Sequence, residues 1–223
     1  RIAADAEALE HYRQAEAMFM KAAGREMTPL QRAIMDRKLG QAFYGVGDYA
    51  NAVEYSTRAL GHLGIRYPRS RWGVRASTLR YLAAHLLRRL SLGSRKAPAS
   101  LTMDIATARE ISATCRSLAW LDYFADEERF GLDSLIELDA GERSGDVLAR
   151  VRGLGTLAVV LSISRAFTMA RHCAAEATKI AESSNDIASI ALATFARGTL
   201  DSGTGPFDRS SRSLDRSAAA FRG

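Results

Sequence analysis

The sequence predicts an all-α fold in which helical hairpins stack on one another. Only four prolines interrupt the 223 residues, and no stretch alternates polar and apolar residues as a half-buried strand would. Apolar residues instead recur at helical spacings, and helix pairs follow one another at a period of about 40 residues. Because each amphipathic pair cannot bury its apolar face alone, we expect about ten helices stacked as an α-solenoid.

Capping residues and chain breakers divide the chain into helices. A half repeat is expected over residues 2–23, ending at Gly24, and Thr28 is the expected N-cap of the next helix. The other predicted helices cover, in order, about 29–46, 49–63, 71–91, 103–124, 126–143, 146–163, 165–183, 187–201 and 207–221. The helix at 71–91 carries an apolar stripe of Leu79, Leu82, Leu86 and Leu90.

One solenoid is expected to cover the whole chain, 1–223, with a break in the middle. Residues 93–102 contain Pro98 and form the clearest linker, between N-terminal repeats at 1–92 and C-terminal repeats at 103–223. The sequence begins at Arg1, inside a predicted helix, so we expect it to be a fragment of a larger protein.

The clearest repeat lies at residues 32–63. Its pattern is a small residue, an aromatic, a tight turn and two spaced alanines: Gly40, Phe43, the turn 47–49, Ala52 and Ala59. This order resembles a tetratricopeptide repeat, and the resemblance implies a right-handed α-solenoid of antiparallel helical hairpins. The pattern is broken at Asp36, where the repeat has Trp or Leu, and at Ser56, where it has an aromatic.

A wider resemblance comes from the order of segments along the chain. The repeat is followed by 63–70, a Leu/Arg-rich helix, Tyr123-Phe124, 140–145 and an Ala-rich pair ending at 181–186. This order looks like the helical-repeat region that follows the ATPase module in bacterial signalling ATPases fused to adenylate or guanylate cyclase domains. The resemblance implies a regulatory region without catalytic residues, in a parent protein whose ATPase or cyclase segments lie elsewhere.

Several kinds of site are not indicated by the residues. Cys115 and Cys173 form no CxxC motif, so neither a metal site nor a disulfide is predicted, and a reducing, cytoplasmic setting is the expectation. No apolar run reaches the length of a membrane span.

Residues 153–158 have the letters of a dinucleotide fingerprint but follow a predicted helix, so we interpret Gly153 and Gly155 as helix-packing glycines and predict no cofactor.

The most specific prediction concerns the concave face of the solenoid. In tetratricopeptide repeats the first helix of each pair lines that face, and by position this implies Arg37, Gln41, Tyr44, Arg152, Thr156, Phe195 and Thr199. An arginine one turn before an amide can hold a peptide carboxylate through charge-assisted hydrogen bonds. The predicted function is therefore a non-catalytic interaction module that binds a protein, a peptide or another domain of its own chain.

Charge is distributed in blocks, which leaves further partners open. Residues 61–103 contain nine Arg and Lys and no acid, whereas 104–146 contain eleven acids and four bases. The two blocks either attract each other across the stack or leave the basic one free for an acidic ligand. Arginines interleaved with Tyr67, Trp72 and Tyr81 favour nucleic acid as the alternative partner: Arg66, Arg69, Arg71, Arg75 and Arg80. A small-ligand sensor and a homodimer also stay open.

Overall fold

A computed structural model describes residues 7, 10–14, 17, 27–92, 102–204 and 207–220. From residue 29 onward these ranges hold nine helices, residues 10–14 are also helical, and the described residues contain no strand. The helices are α1 (Pro29–Gly45), α2 (Tyr49–His62), α3 (Arg71–Leu92), α4 (Ile105–Ala125), α5 (Glu127–Ser144), α6 (Val147–Ile163), α7 (Phe167–Ser184), α8 (Ile187–Thr204) and α9 (Phe207–Ala220). The all-α class and the number of helices are thus confirmed.

Every predicted helix from residue 29 onward begins and ends within three residues of the observed one. The boundaries are local in origin, as the start of α1 illustrates. The Thr28 hydroxyl accepts a hydrogen bond from the Gln31 amide at 3.2 Å, and the Gln31 side chain accepts one from the Thr28 amide at 2.9 Å. The half repeat predicted at 2–23 and the linker at 93–102 fall almost entirely outside the described residues.

The predicted turn joins α1 to α2. Gly47 adopts a φ of +83°, which favours glycine, and the Asp48 carboxylate caps α2 by accepting the Asn51 amide at 3.2 Å. The two helices approach so closely that a Cβ atom on Gly40 would lie 2.8 Å from the Ser56 hydroxyl oxygen. The small residue at position 40 is therefore required by the packing of α1 on α2.

A buried ion pair replaces the apolar contact expected at position 36. Asp36 is almost fully buried, and the Arg58 guanidinium of α2 donates two hydrogen bonds to its carboxylate, at 2.6 and 2.7 Å. The His62 Nε2 atom lies 3.0 Å from the same carboxylate. Because a buried carboxylate is costly without partners, this pairing holds the hairpin together where the repeat pattern uses Trp or Leu.

Helices pack mainly on their near neighbours along the chain. Arg89 of α3 reaches further, since it pairs with Glu176 and contacts His172 of α7, four positions away in chain order. Contacts between alternate helices join α2 to α4, α3 to α5, α4 to α6 and α6 to α8, and α1 also reaches α4. None of the described helices combines the length and hydropathy needed to cross a membrane.

Helix α5 is the buried centre of the fold. Residues 130–141 are all buried, and Leu132 and Ile136 pack with Leu60, Ile111 and Leu118 in a cluster that joins α2, α4 and α5. Beyond its first turn the same helix carries four acids, Asp133, Glu137, Asp139 and Glu142, and each of them is hydrogen bonded to a neighbouring helix or loop.

Helix α3 neutralises the C-terminal half of α5. The Arg88 guanidinium donates to Asp139 and to Glu142, both at 2.6 Å, and the His85 Nδ1 atom lies 2.6 Å from Glu142. These contacts turn the polar face of α3 inward. As a result, Leu79 and Leu86 of the predicted apolar stripe point to solvent.

Glycines allow α6 to pack directly on α5, at Gly153, and on α8, at Gly155. A Cβ atom on Gly153 would lie 2.7 Å from both the Cα and the amide nitrogen of Leu138, and one on Gly155 would lie 3.1 Å from the Ala196 Cβ. The interpretation of these residues as helix-packing glycines is confirmed, since both lie in the middle of a helix with no strand before them.

We predict that Gly153→Ala destabilises the protein by roughly 2–4 kcal/mol, because the added methyl group would collide with backbone atoms that cannot move aside. Gly61→Ala is the matched control, since a Cβ atom there meets nothing within 4 Å and the helix should gain up to about 1 kcal/mol. Urea unfolding followed by circular dichroism measures both, and equal stabilities for the two variants would contradict the packing described here.

Candidate partner-binding groove

A cavity of about 240 Å³ opens between α1 and α4. Its walls come from these two helices and its floor from α2; the lining residues are Gly40, Gln41, Tyr44, Ser56, Arg116, Ser117, Trp120 and Leu121. Gly40 and the short side chain of Ser56 line the cavity without filling it. We call this cavity and its rim the α1/α4 groove.

Two of the predicted groove residues hold the walls together. The Arg37 guanidinium donates to both carboxylate oxygens of Glu110, at 2.5 and 3.3 Å, and to the Gln41 side chain at 3.2 Å. The Gln41 amide in turn donates to the Ser117 hydroxyl at 3.3 Å. Arg37 and Gln41 therefore lie at the groove but are engaged in joining α1 to α4.

The cationic group that the groove does offer is Arg116. Among the described residues, no carboxylate or other acceptor pairs with its exposed guanidinium. The groove walls partly desolvate it, and this burial, followed by the positive charges of Arg152 and Arg37, lowers its pKa against the opposing effect of Glu137. An unpaired cation among other cations is well placed to receive an anionic group.

Aromatic rings flank Arg116 at the rim. Trp120, one turn further along α4, is 63% exposed, and Tyr44 of α1 is 46% exposed. The Tyr44 ring contacts Tyr49 with the centroids 5.6 Å apart, which fixes the rim beside the turn. The groove thus combines a cation with two large, partly apolar surfaces.

Arg152, which was predicted to line the concave face, instead takes part in a buried hydrogen-bond network. Its Nη1 atom donates to the Ser112 hydroxyl at 2.9 Å and lies 3.7 Å from a carboxylate oxygen of Glu137. Ser112 also donates to Glu137. Burial raises the pKa of Glu137 to about 7, although Arg152 and Ser112 lower it. Thr156, one turn later, is half-buried.

The predicted residues of α8 lie apart from this groove. Phe195 is exposed, and the Thr199 hydroxyl donates to the Phe195 carbonyl at 3.0 Å. A second cavity, of about 480 Å³, opens nearby without including either residue. Polar side chains of α7, α8 and α9 line it: Thr178, Glu182, Thr194, Arg197, Asp201, Arg212, Ser213 and Arg216. The structure therefore does not bring all seven predicted residues into one site.

The aromatic residues of the predicted basic patch are largely turned away from solvent. The Tyr67 hydroxyl donates to Asp133 at 2.8 Å, and Tyr81 is half-buried beneath the Arg80 guanidinium. Trp72 alone of the three is well exposed. Stacking of successive nucleic-acid bases needs several accessible rings, so this arrangement does not favour it.

The arginines of this patch differ in their partners. Arg75 pairs with Glu128 of α5 at 2.7 Å. The other four are exposed, and within the described part of the chain none forms an ion pair: Arg66, Arg69, Arg71 and Arg80. Arg71 nevertheless adds to Arg75 in lowering the pKa of Glu128. The attraction between the basic and acidic blocks is thus real, but it leaves part of the basic block free.

Two carboxyl groups in the core lie against one tyrosine hydroxyl. Tyr67 donates to Asp133 and lies 3.3 Å from Asp122 through the same hydroxyl. Burial raises the pKa of Asp122 to about 6, and burial together with the negative charge of Asp122 raises that of Asp133 well above its usual range. Both shifts favour the protonated form of these carboxyl groups.

Sequence reasoning missed Arg116 and Trp120. Both lie on the face of α4 opposite its buried apolar residues. They are four positions apart, so they are neighbours on that face, and this spacing was the signal in the sequence that could have identified them.

Comparisons with protein-family models, with curated proteins and with solved structures found no match. What the groove can bind therefore follows from its own side chains.

The raised pKa values of these two carboxyl groups predict a specific pH dependence. Because folding raises the pKa of Asp122 to about 6, the folded state binds more protons than the unfolded state, and the free energy of unfolding should fall as pH rises from about 4 to about 6. Asp133 extends this fall to higher pH. Asp122→Asn should reduce this fall in the free energy of unfolding between pH 4 and pH 6 by about 1–2 kcal/mol.

Tyr67→Phe is the contrasting variant, since it removes a hydrogen bond that favours the ionised carboxylates and should steepen the profile. Urea unfolding at a series of pH values measures all three proteins. Parallel profiles for the wild type, Asp122→Asn and Tyr67→Phe would contradict the raised pKa values.

Proposed function

We propose that this chain is a non-catalytic interaction module that binds a segment of a protein partner, or of a neighbouring domain, in the α1/α4 groove. The observation that carries the proposal is the unpaired Arg116 guanidinium beside the exposed Trp120 and Tyr44 rings. The segment that fits this chemistry presents a carboxylate next to an apolar or aromatic side chain.

The contacts expected of such a segment follow from the three side chains. A guanidinium can donate two parallel hydrogen bonds to a carboxylate, which fixes orientation as well as adding affinity. Trp and Tyr provide large contact surfaces at small conformational cost and dominate many interfaces. The groove floor of Gly40 and Ser56 leaves room for a side chain between the two walls.

The proposed architecture is a right-handed α-solenoid of antiparallel hairpins, in the manner of tetratricopeptide repeats, with α1, α4, α6 and α8 along its concave face. Two observations support it. Most contacts among the described helices join near neighbours in the chain, and α1 with α4, α4 with α6 and α6 with α8 are in contact. In this arrangement the α1/α4 groove lies on the concave face.

The proposed setting is a regulatory region of a larger cytoplasmic protein, such as the bacterial signalling ATPases whose helical repeats the segment order resembles. A fully buried Cys115, whose thiol pKa is raised by burial, fits a structural role for that cysteine. Sequencing the gene on both sides of this segment tests the setting directly, since an adjoining phosphate-binding loop or cyclase domain is expected.

We predict that phage-displayed peptides selected on the wild-type chain are enriched in Asp or Glu beside apolar residues. Arg116→Glu should weaken their binding by at least about tenfold, because attraction at the carboxylate becomes repulsion. Trp120→Ala should weaken it by a similar factor through lost contact area. Fluorescence anisotropy with labelled selected peptides measures both effects.

Arg171→Glu is the matched control, since it reverses an exposed arginine on α7, away from the groove, and should leave the affinity unchanged. Circular dichroism establishes that each variant is folded. Selection of the same peptides by wild type and Arg116→Glu, or equal weakening by Arg171→Glu, would exclude the groove as the binding site.

A further inference from the structure

The solvent face of α3 carries an apolar line that no described residue covers. Trp72 is 78% exposed, Leu79 67% and Leu86 51%, and the intervening Ala76 and Ala83 are also exposed. We call these five residues the α3 seam. Large apolar side chains that recur along one exposed helix face mark a docking surface more often than a solvated one.

The spacing of the seam is that of a coiled coil. Successive members are separated by four, three, four and three residues, which is the alternation of heptad positions d and a. Leucines at every seventh position are typical of one strand in such a pairing. The seam therefore fits a helix laid alongside α3 rather than an irregular peptide.

Contacts on the opposite face prevent α3 from turning its leucines inward. Val74 is buried there, and His85 and Arg88 are hydrogen bonded to the buried acids of α5. Rotating the helix would leave those acids without partners in the core, at a large cost. The seam is thus held outward by the fold.

The charges beside the seam select the occupant. At 3.6 residues per turn, Arg75 and Arg80 fall on opposite sides of the line, and α3 contains no acid. Arg75 is paired with Glu128, whereas Arg66 and Arg80 form no ion pair among the described residues. A second copy of α3 would place arginines against arginines, whereas an acidic helix would pair with them.

We propose that the α3 seam docks an acidic amphipathic helix of a separate protein, with apolar residues at its a and d positions and Asp or Glu at e and g. The surface is distinct from the α1/α4 groove, and the inference does not rest on the function proposed for that groove. Nucleic acid would use the arginines but would give the leucines no role.

The test uses a fluorescent synthetic helix of about three heptads, with Leu at a and d and Glu at e and g, titrated with the whole chain. A second peptide carries Lys at e and g. The Leu79→Ser/Leu86→Ser variant should bind the Glu peptide at least about tenfold more weakly, because two apolar side chains no longer become buried. Arg80→Glu should also weaken binding.

The matched control is Met169→Ser/Ile187→Ser, which replaces two equally exposed apolar residues on α7 and α8 and should leave binding unchanged. Absence of Glu-peptide binding, equal binding of the Lys peptide, or no effect of the Leu79/Leu86 pair would overturn the proposal. It would also be overturned if the chain alone formed a dimer that the same pair dissociates, or if an oligonucleotide displaced the Glu peptide and bound the Leu79/Leu86 variant as tightly as the wild type.

Discussion

The need to neutralise a buried acidic helix governs the packing of this protein. Helix α5 is surrounded by other helices, yet it carries Asp133, Glu137, Asp139 and Glu142. Carboxyl groups in such a place must be protonated, hydrogen bonded or paired with cations, because an unpartnered buried charge is too costly. Here all three solutions occur, and each one brings a different neighbouring element against α5.

The solutions divide the helix along its length. Near its start, burial raises the pKa of Asp133, which favours its protonated form, and Tyr67 donates to it, which ties the loop before α3 to the core. In the middle, Glu137 joins α4 and α6 through Ser112 and Arg152. Towards the end, the basic face of α3 pairs with the remaining acids, which leaves its leucines outside.

Helix boundaries could be predicted because they depend on neighbours in sequence. The capping box at Thr28, the turn at Gly47 and the N-cap Asp48 act over three or four residues, so one sequence contains all the information they need. The opposing charge of residues 61–103 and 104–146 left attraction across the stack as one of two alternatives, and Arg75 and Arg88 of α3 do pair with acids of α5.

The partners of individual side chains could not be predicted in the same way. Arg37 and Arg152 fall where a groove-lining residue is expected, but Glu110 and Ser112 from α4 engage them. Those pairings join residues far apart in sequence and depend on the rotation of each helix about its axis. Arg116 forms no ion pair within the described part of the chain, although the charge of Glu137 acts on it, and this depends on how the helices are assembled.

The buried acids also limit how this fold can change in evolution. Repeat arrays usually gain and lose units freely, since each unit meets its neighbours through similar apolar surfaces. The middle of this chain does not allow that freedom, because removing the hairpin that contains α6, or the helix α3, would leave acids of α5 without their partners. Recombination is therefore expected to vary the ends of the chain and to preserve α3 through α6 as one inherited block.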